Sequence, residues 1–483
     1  MNKRNKFLQN SLLVAIACTA LIINVVHAEA YEEEFLVFRK KIQLSVSHNE
    51  VVELDLKEIL AKAIENNINL QIAKANTNEA KWKFWEKFSD GLPDLTFSAG
   101  SRNRDGTFFL NSNFQSNIDE RTSTTSTRFS YRVFDGGTTT FLAWAEKYYR
   151  DATESKEQSE YNLVLYDSVD LYYQLLKTQA LLQSRTKALE SASSSKNLAQ
   201  QFYQAGTGTK FDLMQAEARM ARTEQDLIEA EAQFRVSGLN LASHLNSPLA
   251  SDLTIDKENI AKLDMVDDNL TVQDFVEQAF QHNPNIRAAL EARKGAYKEG
   301  FSKVGDFLPK VDIYADFSGS GQQFDNLFGL TTLAFEANYT IGDGMGLTAL
   351  ANTMQAKARA NKAKLEYQRE LLRIEKDLRI SYLNFQKTKS KVKVAEKEHE
   401  ASAEALRLVK LRYENGLEIF TNLVDKEAKL TEAEINLIAS TADYNITQAK
   451  LAYNMGTISI EALLGKPQEV SERPSDGVPE DMK

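Results

Sequence analysis

This 483-residue chain has few side chains at the spacings typical of metal-binding or catalytic sites. The histidines beyond the first thirty residues lie far apart, at His48, His244, His282 and His399, and none has the spacing of a metal-binding pair. No nucleophile stands in a pattern with a base and an orienting partner, as nucleophilic catalysis requires. We therefore predict that the protein is not an enzyme and that it uses no metal and no cofactor.

One glycine-rich segment, Gly342-Asp343-Gly344-Met345-Gly346, superficially resembles a dinucleotide-binding loop, because it follows a strand pattern and precedes a helical one. It lacks the parallel βαβ context of such loops. Its counterpart earlier in the chain has only Gly136-Gly137. We interpret Gly136, Gly137, Gly342 and Gly344 as strand-to-helix turn residues, since glycine permits a sharp change of direction.

Polar, small or charged residues alternate with apolar ones in four segments. The alternation predicts two β-hairpins, at about 94–134 and 311–341. The polar face of the strands includes five charged residues, namely Arg128, Arg132, Asp312, Asp316 and Glu336. The strands would be near ten residues long, as in tilted membrane-spanning strands, and their charges would then face a wet interior. A soluble antiparallel sheet packed on a helix fits the alternation equally well.

A membrane barrel could not be closed by four strands, because the smallest have about eight and open edges are not tolerated in lipid. Three chains would supply twelve. If the strands enter a membrane, we therefore expect the barrel to be shared between protomers.

These strands belong to a unit that is written twice, over 54–250 and 270–465. Each copy has an opening helix, a hairpin of strands and a long helical hairpin. Proline is absent between Pro93 and Pro248 and between Pro309 and Pro467, which permits long helices from about 138 and 348, each roughly 100 Å long. Tyr203 to Gly206 and Tyr413 to Gly416 mark the tips of the two helical hairpins.

The chain begins with basic residues, an apolar stretch from Leu12 to Val26 and small residues, an order that predicts a signal peptide over 1–28. Its only cysteine, Cys18, lies inside that stretch, although lipidation of Cys18 stays an alternative. Cleavage takes the formal net charge from −10 to −13, which disfavours nucleic acid as a partner. We interpret 29–53 as an N-terminal extension and 466–483 as a flexible tail.

On these features the sequence resembles the outer-membrane efflux protein family, the TolC-like trimeric exit ducts. The residues that carry the resemblance are the repeated openings, the turns Phe134-Asp135-Gly136-Gly137 and Ile341-Gly342-Asp343-Gly344, and the two tyrosine-glycine tips. It covers nearly all of Leu54 to Gly465. No single motif is specific to the family. The order and spacing of the motifs, repeated in both halves of the chain, make the resemblance specific.

The resemblance implies a homotrimer with a twelve-stranded β-barrel in the outer-membrane lipid of a Gram-negative bacterium. A periplasmic barrel of twelve α-helices would continue it. The implied function is the exit duct of a tripartite efflux pump or type I secretion system, together with a periplasmic adaptor and a proton-driven or ATP-driven inner-membrane pump. The cargo stays open between drugs, metal ions and polypeptides.

The resemblance also assigns roles at the tips. Ala205, Gly206 and Thr207, with Asn415, Gly416 and Leu417, would be the surface on which the adaptor docks. The residues assigned to the closable periplasmic aperture are Asp212, Asp425, Asn422, Glu418, Tyr203 and Tyr413.

Three copies of Asp212 and Asp425 would favour cations at a constriction, although either residue, Asp212 especially, could instead cap the returning helix. Tyr203 and Tyr413 could hydrogen-bond across the tips or simply pack. Asn422 and Glu418 stand where family members can have an aspartate and a latching arginine, so the closing salt bridge is in question. The rival hypothesis is a soluble periplasmic coiled-coil scaffold through which nothing passes.

Overall fold

A computed structural model describes residues 51–111, 114–247, 252–255, 262–266, 270–339, 345–415, 417 and 420–464. The predicted signal peptide, with Cys18, and the predicted tail lie outside the described residues, as does the N-terminal extension before Val51. In the first repeat the elements are β1 (Val51–Glu53), α1 (Leu56–Asn66), α2 (Ile68–Ser89), β2 (Asp94–Asn111), β3 (Phe114–Phe134), α3 (Thr138–Gln204) and α4 (Lys210–His244). They are followed by β4 (Asp252–Thr254), α5 (Val272–His282), α6 (Pro284–Val304), β5 (Lys310–Gly321), β6 (Phe328–Asn338), α7 (Leu347–Glu414), α8 (Phe420–Met455) and α9 (Ile460–Leu463).

The predicted fold class is confirmed: long helices dominate, and four antiparallel strands form one sheet in the order β2-β3-β5-β6. The central pair, β3 and β5, joins the two repeats, with Arg128 opposite Asp316 and Arg132 opposite Asp312. Strands β2 and β6 are therefore the two edges of the sheet.

The two β-hairpins differ in length, which the alternation did not predict. Strands β5 and β6 have 12 and 11 residues, whereas β2 and β3 have 18 and 21. The ladder between β3 and β5 begins at Ser123 and Gly321. Beyond that point, β2 and β3 continue as a two-stranded ribbon.

Each opening helix is broken by an asparagine, where the sequence suggested one continuous helix. Asn67 has extended ψ and its side chain accepts hydrogen bonds from the N–H groups of Asn69 and Leu70, so it ends α1 and caps α2. Asn283 does the same between α5 and α6, where Pro284 starts the new helix. Asparagine suits this role because its short side chain replaces the backbone acceptors that a helix start lacks.

The Asn283 break also fixes the end of the second long hairpin. Its Nδ2 donates to the Asn454 carbonyl oxygen at 2.8 Å, and both residues are buried. Gly456 has φ +81°, and a Cβ there would lie 2.7 Å from the Asn283 Cα. A glycine is therefore required where α8 ends against this break.

The chain forms two compact units, and neither is a sequence repeat. One comprises the described parts of Met1–Asn66, Ser168–Ala261 and Val392–Ala442, and the other those of Asn67–Asp167, Lys262–Lys391 and Asp443–Lys483. Each unit thus contains segments of both repeats, because helices α3, α7 and α8 run through both.

Glutamine side chains fix the segment that links the repeats. In the first unit β1 pairs in parallel with β4, and Gln179 hydrogen-bonds both the N–H and the C=O of Ile255, at 3.1 and 2.9 Å. In the second unit Gln448 accepts from the Met265 N–H at 2.9 Å and donates to the Leu263 carbonyl oxygen at 2.6 Å. Each such bond contributes about 1 kcal/mol, and each would cost more if its buried partner were left alone.

No helix in the described ranges is both long and apolar enough to cross a membrane.

Candidate functional site

The charged residues predicted for the barrel interior share one face of the sheet. Arg128 Nε lies 3.0 Å from Asp316 Oδ2, which also accepts from Ser126 Oγ at 3.1 Å. Arg132 Nε lies 2.9 Å from Asp312 Oδ1. Both pairs cross from β3 to β5, and directly opposed charges of opposite sign stabilise the pairing of two strands.

Glu336 joins this network through a tyrosine that the sequence did not single out. The Tyr314 hydroxyl lies 3.3 Å from Glu336 Oε1, and the Arg128 guanidinium lies 4.9 Å from the Tyr314 ring centroid. Asp312 and Glu336 are directly opposed between β5 and β6. The two like charges are offset because Arg132 pairs with Asp312 and Tyr314 donates to Glu336.

The opposite face of the sheet is apolar and bare. Its large side chains are 37–79 % exposed, namely Leu95, Phe97, Phe129, Val133, Ile313, Phe317, Leu333 and Phe335. Among the residues that the structure describes, no helix packs over them as it would in a soluble two-layer sheet. Such a contiguous exposed apolar surface indicates contact with lipid or with protein.

The first strand-to-helix turn is held by Asp135. Its carboxylate accepts from the N–H groups of Gly137 and Thr139, at 2.9 and 2.7 Å, and from the Thr139 hydroxyl. Burial raises the pKa of Asp135, but these hydrogen bonds outweigh it and hold that pKa below its usual range. Asp135 thereby fixes the direction in which α3 leaves the sheet.

The same turn explains Gly136. Its φ is +73°, and a Cβ would lie 2.6 Å from the Gly305 carbonyl oxygen. Gly305 ends α6, so the turn of the first repeat contacts the helix end of the second, glycine against glycine. Only glycine fits on both counts.

The second strand-to-helix turn does not lie where the comparison of the two repeats placed it. Gly342 and Gly344 lie outside the described residues, and the left-handed pair directly before α7 is Met345 and Gly346, with φ +57° and +86°. This pair matches Gly136 and Gly137, with φ +73° and +82°, directly before α3. The positional counterpart of Asp135 is therefore Gly344, and a methionine occupies the position of Gly136.

About three helical turns into α3, a second polar cluster joins three helices, and sequence reasoning missed it. Glu299 on α6 accepts from the Tyr149 hydroxyl of α3 at 2.9 Å and pairs with Arg359 of α7 at 3.1 Å. Burial and then the Glu299 carboxylate raise the pKa of Tyr149. The helical spacing of these residues gave no signal, because their partners come from distant segments.

The first hairpin tip is a Schellman turn. Gly206 has φ +76°, the Thr207 N–H donates to the Phe202 carbonyl oxygen at 3.0 Å and the Gly206 N–H donates to that of Tyr203 at 3.1 Å. Tyr203 and Ala205 are exposed. Asp212 lies in the first turn of α4, three residues after Thr209, and its side chain is not described.

The second tip repeats this geometry where it is described. The Leu417 N–H donates to the Arg412 carbonyl oxygen at 2.9 Å, as Thr207 does to Phe202, and Leu417 is 71 % exposed. Asn415 is exposed and its Nδ2 donates to the Leu411 carbonyl oxygen. Gly416, Glu418 and the side chain of Tyr413 lie outside the described part of the chain.

Two predicted aperture residues follow this tip on α8. Asn422 and Asp425 are exposed, while the neighbouring Leu423 and Val424 are buried. Asp425 Oδ2 lies 3.6 Å from Lys429 Nζ, with both side chains 58 % exposed. An exposed pair of this kind is weak, so Asp425 still presents a carboxylate to solvent.

In the described ranges, no three His, Cys, Asp or Glu side chains come together as a metal-binding cluster.

The chain matches the family model described as outer membrane efflux protein over residues 59–247 and 275–457. A curated relative, nodulation protein T of Rhizobium leguminosarum bv. trifolii, is 23 % identical over 416 residues, which cover 83 % of this chain and 85 % of the relative.

Among solved structures, the outer-membrane channel OprN matches with a TM-score of 0.70 at 18 % identity, covering 83 % of this chain and 90 % of that one. The CmeC outer membrane channel of Campylobacter jejuni matches with a TM-score of 0.72 at 16 % identity, covering 83 % and 85 %. The open state of the Neisseria gonorrhoeae MtrE channel matches with a TM-score of 0.67 at 19 % identity, covering 84 % and 91 %. At these identities the likeness establishes the fold.

The second turn provides a stability test. Met345→Gly should stabilise the protein by about 1 kcal/mol, because a non-glycine residue in the left-handed region costs roughly 1–2 kcal/mol. Met354→Gly is the matched control, since Met354 is an exposed residue inside α7 and glycine there should destabilise by about 1 kcal/mol. Thermal unfolding of the detergent-solubilised variants measures both. Equal destabilisation by the two substitutions would contradict the strain assigned to Met345.

Proposed function

Because the chain belongs to the outer membrane efflux protein family, we propose that it is the outer-membrane exit duct of a tripartite pump and that it opens and closes at its periplasmic helical tips. The observation that carries the duct is the two-faced sheet. One face is apolar and bare, and the other holds paired charges. A strand surface of this kind suits a wall with lipid outside and water inside.

The rival scaffold does not account for that sheet. A soluble periplasmic coiled-coil protein would have to cover eight large exposed apolar side chains on one face. At about 25 cal/mol per Å² of apolar surface, leaving such a face in water is costly. Lipid contact removes the cost without a covering helix.

The aperture is proposed at the start of the returning helices. Asp425 is exposed one turn into α8, and Asp212 occupies the first turn of α4, which follows a tip of the same geometry. In a homotrimer each carboxylate would occur three times around one axis, which concentrates negative potential in a constriction and favours cations. Asn422 is exposed in the same segment of α8 and Tyr203 is exposed in the last turn of α3; together with Glu418 and Tyr413 they complete the proposed rim.

The tips are also the proposed docking surface for a periplasmic adaptor, which in turn engages an inner-membrane pump. Gly206 and Thr207 stand in a tight turn that leaves their side-chain positions open, since a Cβ on Gly206 would meet nothing within 4 Å. Leu417 is the large exposed apolar side chain of the second tip. A partner that covers Leu417 would remove its apolar surface from water, which favours association.

Single-channel recording in planar bilayers tests the aperture. The purified trimer should form a small cation-selective pore, and Asp212→Ala/Asp425→Ala should lower its selectivity for cations. Lys429→Ala is the matched control of opposite sign, because it removes the cation beside Asp425 and should raise that selectivity. A pore unchanged by either substitution discards the carboxylate aperture, and folded trimer without any pore discards the duct.

Photo-crosslinking in cells tests the docking surface. A photoreactive residue at Leu417 should capture a periplasmic adaptor, identified by mass spectrometry. The same residue at Leu408, which is 49 % exposed on α7 before the tip, should not. Equal capture at both positions, or capture at Leu408 alone, would place the adaptor elsewhere.

A further inference from the structure

The ribbon formed by 101–111 of β2 and 114–123 of β3 extends past the rest of the sheet. Strand β5 pairs with β3 only from Ser123 onward. The pairing of β5 with β6 stops at the same level, at Ser320 and Phe328, the first residue of β6. Strand β2 remains paired with β3 through Asn111 and Phe114. Along the ribbon, the outer edge of β2 and the far edge of β3 therefore both lack a strand neighbour in the described sheet.

Unpaired edges decide where the ribbon lies relative to the membrane. In lipid, an unpaired N–H or C=O costs several kcal/mol, so the hydrocarbon layer contains closed sheets only. The four-stranded part has 12 residues in β5. At ~3.3 Å per residue and a tilt of ~45°, it rises about 28 Å, enough for the apolar thickness of a membrane.

The outward face changes character at the same level. In the four-stranded part this face carries Leu95, Phe97 and Phe129. In the part of the ribbon whose side chains are described, the alternate residues of that face are Ser101, Asn103 and Asp105 on β2 and Arg121 on β3, while Ser123 is buried at the junction with β5. The apolar band thus ends at the level where β5 ends. Strand pairing and residue type are separate observations, and both place the boundary at this level.

The opposite face continues the charged face of the sheet. Arg102 and Arg104 on β2 oppose Thr122 and Glu120 on β3, in the same alternation as Arg128. Both arginines are exposed. Arg128 and Arg132 are paired with Asp316 and Asp312, whereas Arg102 has the uncharged Thr122 opposite it.

We infer that the ribbon stands in water beyond the outer surface of the membrane and lengthens the exit of the duct, with Arg102 and Arg104 facing the cargo path. The inference rests on the proposed function for its direction. The other end of every strand continues into the helices, which are periplasmic, so the free end of the hairpin points outward. Cargo therefore leaves past a rim of arginines rather than directly from the apolar band.

Cysteine labelling tests the position of the ribbon, and the natural chain has only Cys18, which is replaced by serine in the background. Intact cells are treated with a bulky, membrane-impermeant PEG-maleimide. Asn103→Cys and Arg104→Cys should both be labelled, whereas Phe97→Cys in the apolar band should not. Leu417→Cys at the periplasmic tip should be labelled only after the outer membrane is permeabilised. Ser101→Cys and Arg102→Cys replace the ribbon pair if either variant fails to form trimers.

Conductance then separates the two faces of the same strand. Labelling Arg104→Cys should lower the single-channel conductance by more than half, because the polymer stands in the path, and labelling Asn103→Cys should leave it unchanged. Ribbon cysteines that stay unlabelled in cells would overturn the position of the ribbon. Labelled cysteines with equal effects on conductance would overturn the cargo-facing assignment. Failure of the proposed duct itself shows differently, as unlabelled trimer without any conductance.

Discussion

The sheet's two unpaired edges, β2 and β6, are the constraint on which the rest of the structure depends. A strand edge in lipid leaves a row of backbone groups without partners, and four strands are too few to close on themselves. The chain's fold is therefore completed only by copies of itself, as in the trimeric exit ducts of its family. Duplication meets this requirement. The hairpins of the two repeats pair through β3 and β5, and each repeat leaves one edge strand, β2 or β6, for pairing with another copy.

The transition from sheet to helix is the second requirement, and the two repeats meet it differently. In the first repeat Asp135 caps the new helix, and Gly136 contacts Gly305 of the second repeat. Farther along the same helix, Tyr149 meets Glu299 and Arg359. These contacts couple α3, α6 and α7 within the first few turns of the two long helices, so the direction of those helices is fixed early in their course. In the second repeat a left-handed methionine takes the glycine's place, which marks that turn as the less optimised of the two.

The features that were predicted correctly from the sequence are those that depend on a regular spacing of residue types. Alternation at Phe129, Tyr131 and Val133 predicted strands, and the repeated tyrosine-glycine pairs predicted the tips of two helical hairpins. It did not predict the ribbon, because polar residues such as Ser101 and Asn103 end the alternation of apolar residues while strand pairing continues. Nor did it predict the breaks at Asn67 and Asn283, although Pro284 was a signal in the second case. The sequence comparison of the two turns matched glycine with glycine, and so it did not pair Met345 with Gly136. In the structure the two residues correspond because each stands two positions before the start of a long helix.

The most direct test of the account is covalent linkage of the two sheet edges between copies. Phe97→Cys on β2 is combined in turn with Thr331→Cys, Leu333→Cys and Phe335→Cys on β6, which lie on the same face of the sheet. Under oxidation, the account predicts that one of these pairs gives cross-linked dimers and trimers and no larger species, while each single cysteine gives none. Folded, detergent-extracted protein that stays monomeric with every pair, or a ladder that continues past the trimer, would contradict a barrel closed by three copies.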